Sequence, residues 1–144
     1  MIVRVDLVHE SIPIPDVVVH LVDPWKVLRA SKKLLNEGGF IIVCLPNISN
    51  FNTRWELMKG NFDYEDVGVM DRTHLRFFNI KTAYQFIEDC GFNVVDYFSP
   101  WQTSFKVFPK RMVWINQLIV RSFRKVASRN LTDIVMSFKL VPTK

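Results

Sequence analysis

Hydrophobic positions along the chain switch between runs and helical spacing, and the switches divide it into alternating strands and helices. Asp16-Val17-Val18-Val19-His20 is a short β-branched run that predicts a strand. Asp23-Pro24 then supplies an N-cap and a proline at the first helical position. Val27, Leu28, Ser31, Leu34 and Leu35 share one face of the helix that follows, and Gly38-Gly39 is expected to end it. Phe40 to Leu45 is apolar throughout, as in a strand covered on both faces of a parallel sheet, and Pro46-Asn47 closes it. A short helix is expected over Thr53 to Lys59, and the aperiodic Asn61 to Asp66 reads as a loop or lid. Asn79 can cap a helix in which Ala83, Phe86, Ile87 and Cys90 recur at i, i+3, i+4, i+7, with Gly91 as stop. Asn93 to Phe98 predicts a strand, residues 110–129 a second amphipathic helix, and Asp133 to Leu140 a last strand.

This order makes an α/β chain with a mostly parallel sheet and flanking helices, partial and Rossmann-like. In such sheets ligands bind beyond the carboxyl ends of strands, so Leu45 to Asn50 is a candidate site wall. The 144 residues suit one domain, and 49% hydrophobic content with 13% aromatics excludes a disordered chain. Residues 16–100 would form its core, 1–15 a segment that can cover a sheet edge, and 101–144 a basic helix and final strand. No apolar stretch approaches the ~20 residues of a spanning helix, and Met1 to Arg4 opens without a signal-peptide pattern, so a cytoplasmic protein is expected. Cys44 and Cys90 form no C-x-x-C and are too few for a disulfide framework; they read as reduced thiols, Cys44 in the core.

Charge is uneven: residues 1–100 carry 10 basic and 13 acidic side chains, and residues 101–144 carry 9 and 1. The basic tail, with Trp101 and Trp114, could meet a membrane surface, but packing of its helix on the sheet is favoured. No RNA- or DNA-binding module pattern is present, so a nucleic-acid partner is not expected.

Four segments in order carry a family resemblance: His20-Leu21-Val22-Asp23-Pro24, Gly38-Gly39, Leu45-Pro46-Asn47 and Asp71-Arg72-Thr73-His74-Leu75-Arg76-Phe77-Phe78. Together they resemble the second half of class I S-adenosylmethionine (SAM)-dependent methyltransferases, in the branch that methylates sugars and cell-envelope small molecules. The resemblance implies SAM as cofactor and a small-molecule acceptor, such as a sugar or nucleotide sugar. The five glycines, Gly38, Gly39, Gly60, Gly68 and Gly91, never fall in a G-x-G spacing. SAM needs a tight glycine turn and a carboxylate for its ribose, so the cofactor half is expected to be missing and the chain alone inactive. In the family a Glu usually precedes the residue matched to His20, whereas Val19 stands here, and Asp6 to Glu10 is an alternative position for the strand before it. Loss of the cofactor half would leave the strand near Asp16 to His20 as an open edge. Ile2 to Val8 would fold back over it, or a second copy or a partner protein would pair with it. A non-catalytic interaction module using that edge is the alternative reading.

Extended geometry over Asp71 to Phe78 would set His74, Arg76 and Phe78 on one face and Thr73, Leu75 and Phe77 on the other, one polar and one buried. Methyl transfer needs positioning and a proton acceptor, for which His74 is the candidate. Arg72 and Arg76 could hold an anionic acceptor through bidentate guanidinium pairing, with Ser49 and Tyr64 beside it. His20 and Asn47 are the positions that would touch cofactor, while Asn47 and Ser49 could equally do no more than satisfy the turn backbone. The plainer alternative is that Asp71 and Arg76 pair to pin the loop while His74 caps a backbone carbonyl. Asp63, Glu65, Asp66 and Asp71 match no metal loop, so a solvated acidic loop is expected and no metal.

Overall fold

In the computed structural model, which describes residues 9–102 and 113–143, a four-stranded mixed sheet organises the chain. The strands are β1 (His9–Pro15), β2 (Leu35–Pro46), β3 (Phe92–Phe98) and β4 (Val135–Pro142), in the order β1-β2-β4-β3. β1 runs parallel to β2, while β4 is antiparallel to both β2 and β3. The mostly parallel sheet of the sequence reading is therefore corrected to a mixed one. Direction is set by which distant strand enters between β2 and β3, and apolar runs do not encode that.

The first strand is also displaced. Val18–His20 is a 3-10 turn, and the strand lies at His9–Pro15, reaching the alternative Asp6 to Glu10 position only at its start. Asp16 makes the corner, with φ of 51°. This left-handed conformation is uncommon outside glycine, though Asp tolerates it better than most residues. Ile2 to Val8 lie outside the described residues.

Helix α1 (Pro24–Ser31) begins as expected, with the Asp23 carboxylate accepting from the Lys26 N–H at 3.0 Å. It ends well before Gly38-Gly39, passing through a 3-10 turn at Lys32–Leu34 into β2. Gly38, at φ 78°, lies inside β2 where the pairing with β1 jumps from His9↔Leu35 to Ser11↔Phe40. The glycine pair thus serves a strand irregularity rather than a helix stop.

Helix α2 (Phe51–Met58) is capped by Asn50, and α3 (Ile80–Asp89) by a reciprocal pair in which Asn79 and Thr82 each bond the other's backbone N–H. The helix expected over 110–129 is α4 (Val113–Val126) followed by the short α5 (Arg129–Thr132); Met112 lies outside the described residues. Phe123 of α4 packs edge-on against Phe51 of α2 at 5.2 Å, while Trp114 and Leu118 face solvent. No described helix is long and apolar enough to cross a membrane.

The core forms where α1 and α3 cover one sheet face. Ile41, Val43 and Leu45 of β2 lie opposite Leu140, Phe138 and Met136 of β4, and all six are fully buried. Leu28, Ala83, Phe86 and Ile87 close over them from the helices. On the other face Cys44 is half-buried and contacts Ser137, so it is not the core residue expected. Cys90 is the buried thiol, and burial pushes its pKa up to about 11.

Candidate functional site

At the carboxyl end of β1 the chain turns at Asp16 and enters the 3-10 turn, which buries Val18 and Val19 and leaves His20 exposed. The Val19 carbonyl accepts from both the Leu75 N–H (2.8 Å) and the Arg76 N–H (3.2 Å). This double bond clamps the 71–78 segment onto the turn and brings His74 beside His20, with ring centroids 4.8 Å apart. Because two successive N–H groups aim at one carbonyl, the segment is not extended. Its expected faces do not form: His74 and Phe78 are buried, while Arg76, Leu75 and Phe77 are exposed.

Each imidazole is fixed through Nδ1. That of His74 lies 3.2 Å from the Val69 carbonyl, and that of His20 lies 3.2 Å from the Thr73 carbonyl and 3.1 Å from Thr73 Oγ1. Thr73 Oγ1 donates in turn to Asp71 (2.6 Å), whose carboxylate also accepts the Thr73 N–H (2.8 Å). The Thr73 hydroxyl and N–H together hold the Asp71 carboxyl below its usual range. His74 Nε2 is fully buried without a hydrogen-bond partner, 3.9 Å from Asp16 Oδ2. His74 thus takes the carbonyl contact of the plainer reading, but the companion Asp71–Arg76 pair does not form.

The arginines are engaged elsewhere. Arg72 pairs with Asp66 at 2.5 Å with both side chains largely in solvent, and Arg76 donates to the Val22 carbonyl at 2.8 Å. Tyr64 is exposed and packs edge-on against Phe62 in the 61–66 loop, which a Glu65–Asp71 bridge closes on itself.

At the carboxyl end of β2, Asn47 is completely buried. Its Nδ2 donates to the carbonyls of Asn130 (3.0 Å) and Asp133 (2.7 Å), and its Oδ1 accepts the Ser49 N–H (2.9 Å). Every polar atom of the side chain is spent on the protein, so Asn47 shapes the wall without a donor left for cofactor. Ser49 is half-buried in that turn. The Ile48 N–H bonds the Phe78 carbonyl at 2.9 Å and joins this turn to the end of the 71–78 segment.

Beside these turns a cleft of about 430 Å³ opens, lined by Asn50, Thr53, Glu56, Asp63, Glu65 and Met70 among others. Its charged lining is acidic; Asn50 at the end of the candidate wall and Asp63 and Glu65 of the acidic loop line it, whereas His20, Asn47, Ser49, Tyr64, Arg72, His74 and Arg76 do not. Asp16 was also missed as a site residue. It stands at the left-handed corner after β1, and reading Asp16 to His20 as a strand hid that corner.

No protein-family model matches the chain, and a search of curated proteins gives no match. Solved structures do. A SAM-dependent methyltransferase from Thermotoga maritima matches 94% of this chain and 56% of its own length, at 15% identity and a TM-score of 0.54. A SAM-dependent methyltransferase from Archaeoglobus fulgidus matches 94% and 60%, at 15% identity and 0.53. A chain from the complex of the Haloferax volcanii Trm112 methyltransferase activator with a methyltransferase matches 96% and 56%, at 12% identity and 0.55. The chain therefore has an α/β, methyltransferase-like Rossmann-type fold and spans little more than half the length of these proteins.

Proposed function

We propose that this chain forms the acceptor side of a SAM-dependent methyltransferase acting on a small molecule, a sugar or nucleotide sugar, and that it is inactive alone. One observation carries the reading. The motif segments His20 to Pro24, Leu45 to Asn47 and Asp71 to Phe78 are far apart in sequence, yet the 71–78 segment bonds the adjoining Val19 carbonyl, the Val22 carbonyl and the adjoining Ile48 N–H, and bridges to Asn47, at the carboxyl ends of β1 and β2. That is where open α/β sheets place ligands.

In this reading an acceptor oxygen or nitrogen attacks the SAM methyl group in line. The carbon–sulfur bond breaks, S-adenosylhomocysteine leaves, and the acceptor's proton passes to the His20–His74 corner, with His74 the base. Arg72 can meet a phosphate because its exposed pair with Asp66 is worth only about 0–1 kcal/mol and exchanges readily. Arg76, Ser49 and Tyr64 flank the acceptor, and His20 faces the cofactor. An amide-resolved NMR titration with a nucleotide sugar tests this. Shifts are expected at residues 47–50 and 71–78, and shifts confined to other regions would reject it.

A partner completes the unit in this proposal. β1 is a terminal strand of the described sheet, and such edges accept a further strand from a second copy or another protein. A likeness to a chain from a methyltransferase–activator complex supports pairing. Light scattering of concentrated protein should show a species larger than one chain; a strict monomer would leave only pairing with a different protein.

A further inference from the structure

We propose that Asp16, His20 and His74 bind one divalent transition-metal ion of the zinc type. One ligating atom from each of the three lies within 4.8 Å of the others, a cluster brought together from two segments by the double bond to the Val19 carbonyl. The second observation concerns His74 alone. Its side chain is 1% exposed, and its Nε2 faces the Asp16 carboxylate at 3.9 Å with no hydrogen-bond partner.

The tautomer follows from the other nitrogen. A carbonyl oxygen can only accept, so the Val69 carbonyl places a proton of His74 on Nδ1, and in the neutral imidazole the lone pair then lies on Nε2. A buried lone pair pointing at a carboxylate oxygen is unfavourable unless a cation stands between them. His20 repeats the arrangement, since the Thr73 carbonyl takes its Nδ1 proton and leaves the basic nitrogen at Nε2. Imidazoles held by carbonyls through the far nitrogen are how proteins orient metal-ligating histidines.

Two imidazoles and one carboxylate suit zinc and its neighbours better than calcium or magnesium, which take oxygen ligands. Bonds of about 2.0–2.2 Å put tetrahedral ligand atoms roughly 3.4 Å apart. The present spacing of up to 4.8 Å is wider, so Asp16 and His20, both exposed, would draw in toward the buried His74. Three protein ligands leave a coordination position open, the arrangement of catalytic rather than structural sites. The ion would occupy the Nε2 that His74 uses as a base, so the base role proposed above belongs to the metal-free protein.

The test is calorimetric titration of zinc chloride into the chelator-treated 144-residue chain, with cobalt(II) absorption in the visible as a second readout. One equivalent should bind, and Asp16→Asn and His20→Gln, at exposed positions that preserve the fold by circular dichroism, should each weaken binding by ~100-fold or more. His9→Gln should leave it unchanged. Absence of one-to-one binding, or binding that survives both Asp16→Asn and His20→Gln undiminished, would overturn the site. Because zinc binding is read directly, its failure is distinct from failure of the methyl-transfer reading.

Discussion

Replacing Phe86 with alanine should lower the unfolding free energy by about 3–5 kcal/mol, the range for removing a buried aromatic ring. Phe86 is 1% exposed in α3, edge-on to Trp25 at 5.2 Å and tilted against Phe78 at 5.1 Å. It is the contact through which α3 holds both α1 and the end of the 71–78 segment. Alanine leaves a cavity that neither neighbour can fill without moving the sheet, whereas Phe86→Leu keeps most of the volume and should cost less. A domain of this size has about 5–15 kcal/mol in all, so Phe86→Ala should shift the urea midpoint strongly. A loss below about 1 kcal/mol would mean that this aromatic cluster does not hold the helices on the sheet.

The second large effect is expected at Asn47. Asn47→Ala strips partners from two carbonyls and one N–H in a fully buried position, and about 2–4 kcal/mol should be lost. Asn47→Asp discriminates the cause. It retains the acceptor for the Ser49 N–H but turns a carboxylate oxygen toward the carbonyls of Asn130 and Asp133, so it should be at least as damaging despite its similar shape. Hydrogen exchange at the Ser49 amide should quicken in Asn47→Ala. An alanine variant with wild-type stability would show that the wall beyond β2 is held by backbone bonds alone.

These two residues show what the sequence makes legible and what it hides. Phe86 was readable because it shares the helix face with Ala83, Ile87 and Cys90 at i, i+3, i+4, i+7 spacing, between an Asn79 cap and a Gly91 stop. Asn47 could be placed beyond a strand end, with bonding of the turn backbone as one of its two readings, but its carbonyl partners 83 and 86 residues away could not be read. β1 was obscured by its own composition. Pro13 and Pro15 argue against a strand, while Val17 to Val19 argue for one; the prolines are tolerated because β1 is at the edge of the described sheet. That one displacement also removed Asp16 from the candidate site, whereas His20 and His74 entered it through the family resemblance of their segments. The antiparallel entry of β4 depends on a pairing across roughly ninety residues of chain and leaves no local trace.

Calorimetric titration of S-adenosylhomocysteine into the 144-residue chain addresses most directly the claim that these residues form the acceptor side and that the cofactor contacts lie outside them. With no G-x-G turn to bring backbone N–H groups against the ligand, binding tighter than roughly 1 mM is not expected. A dissociation constant in the micromolar range would contradict the claim and place a complete cofactor site within this chain.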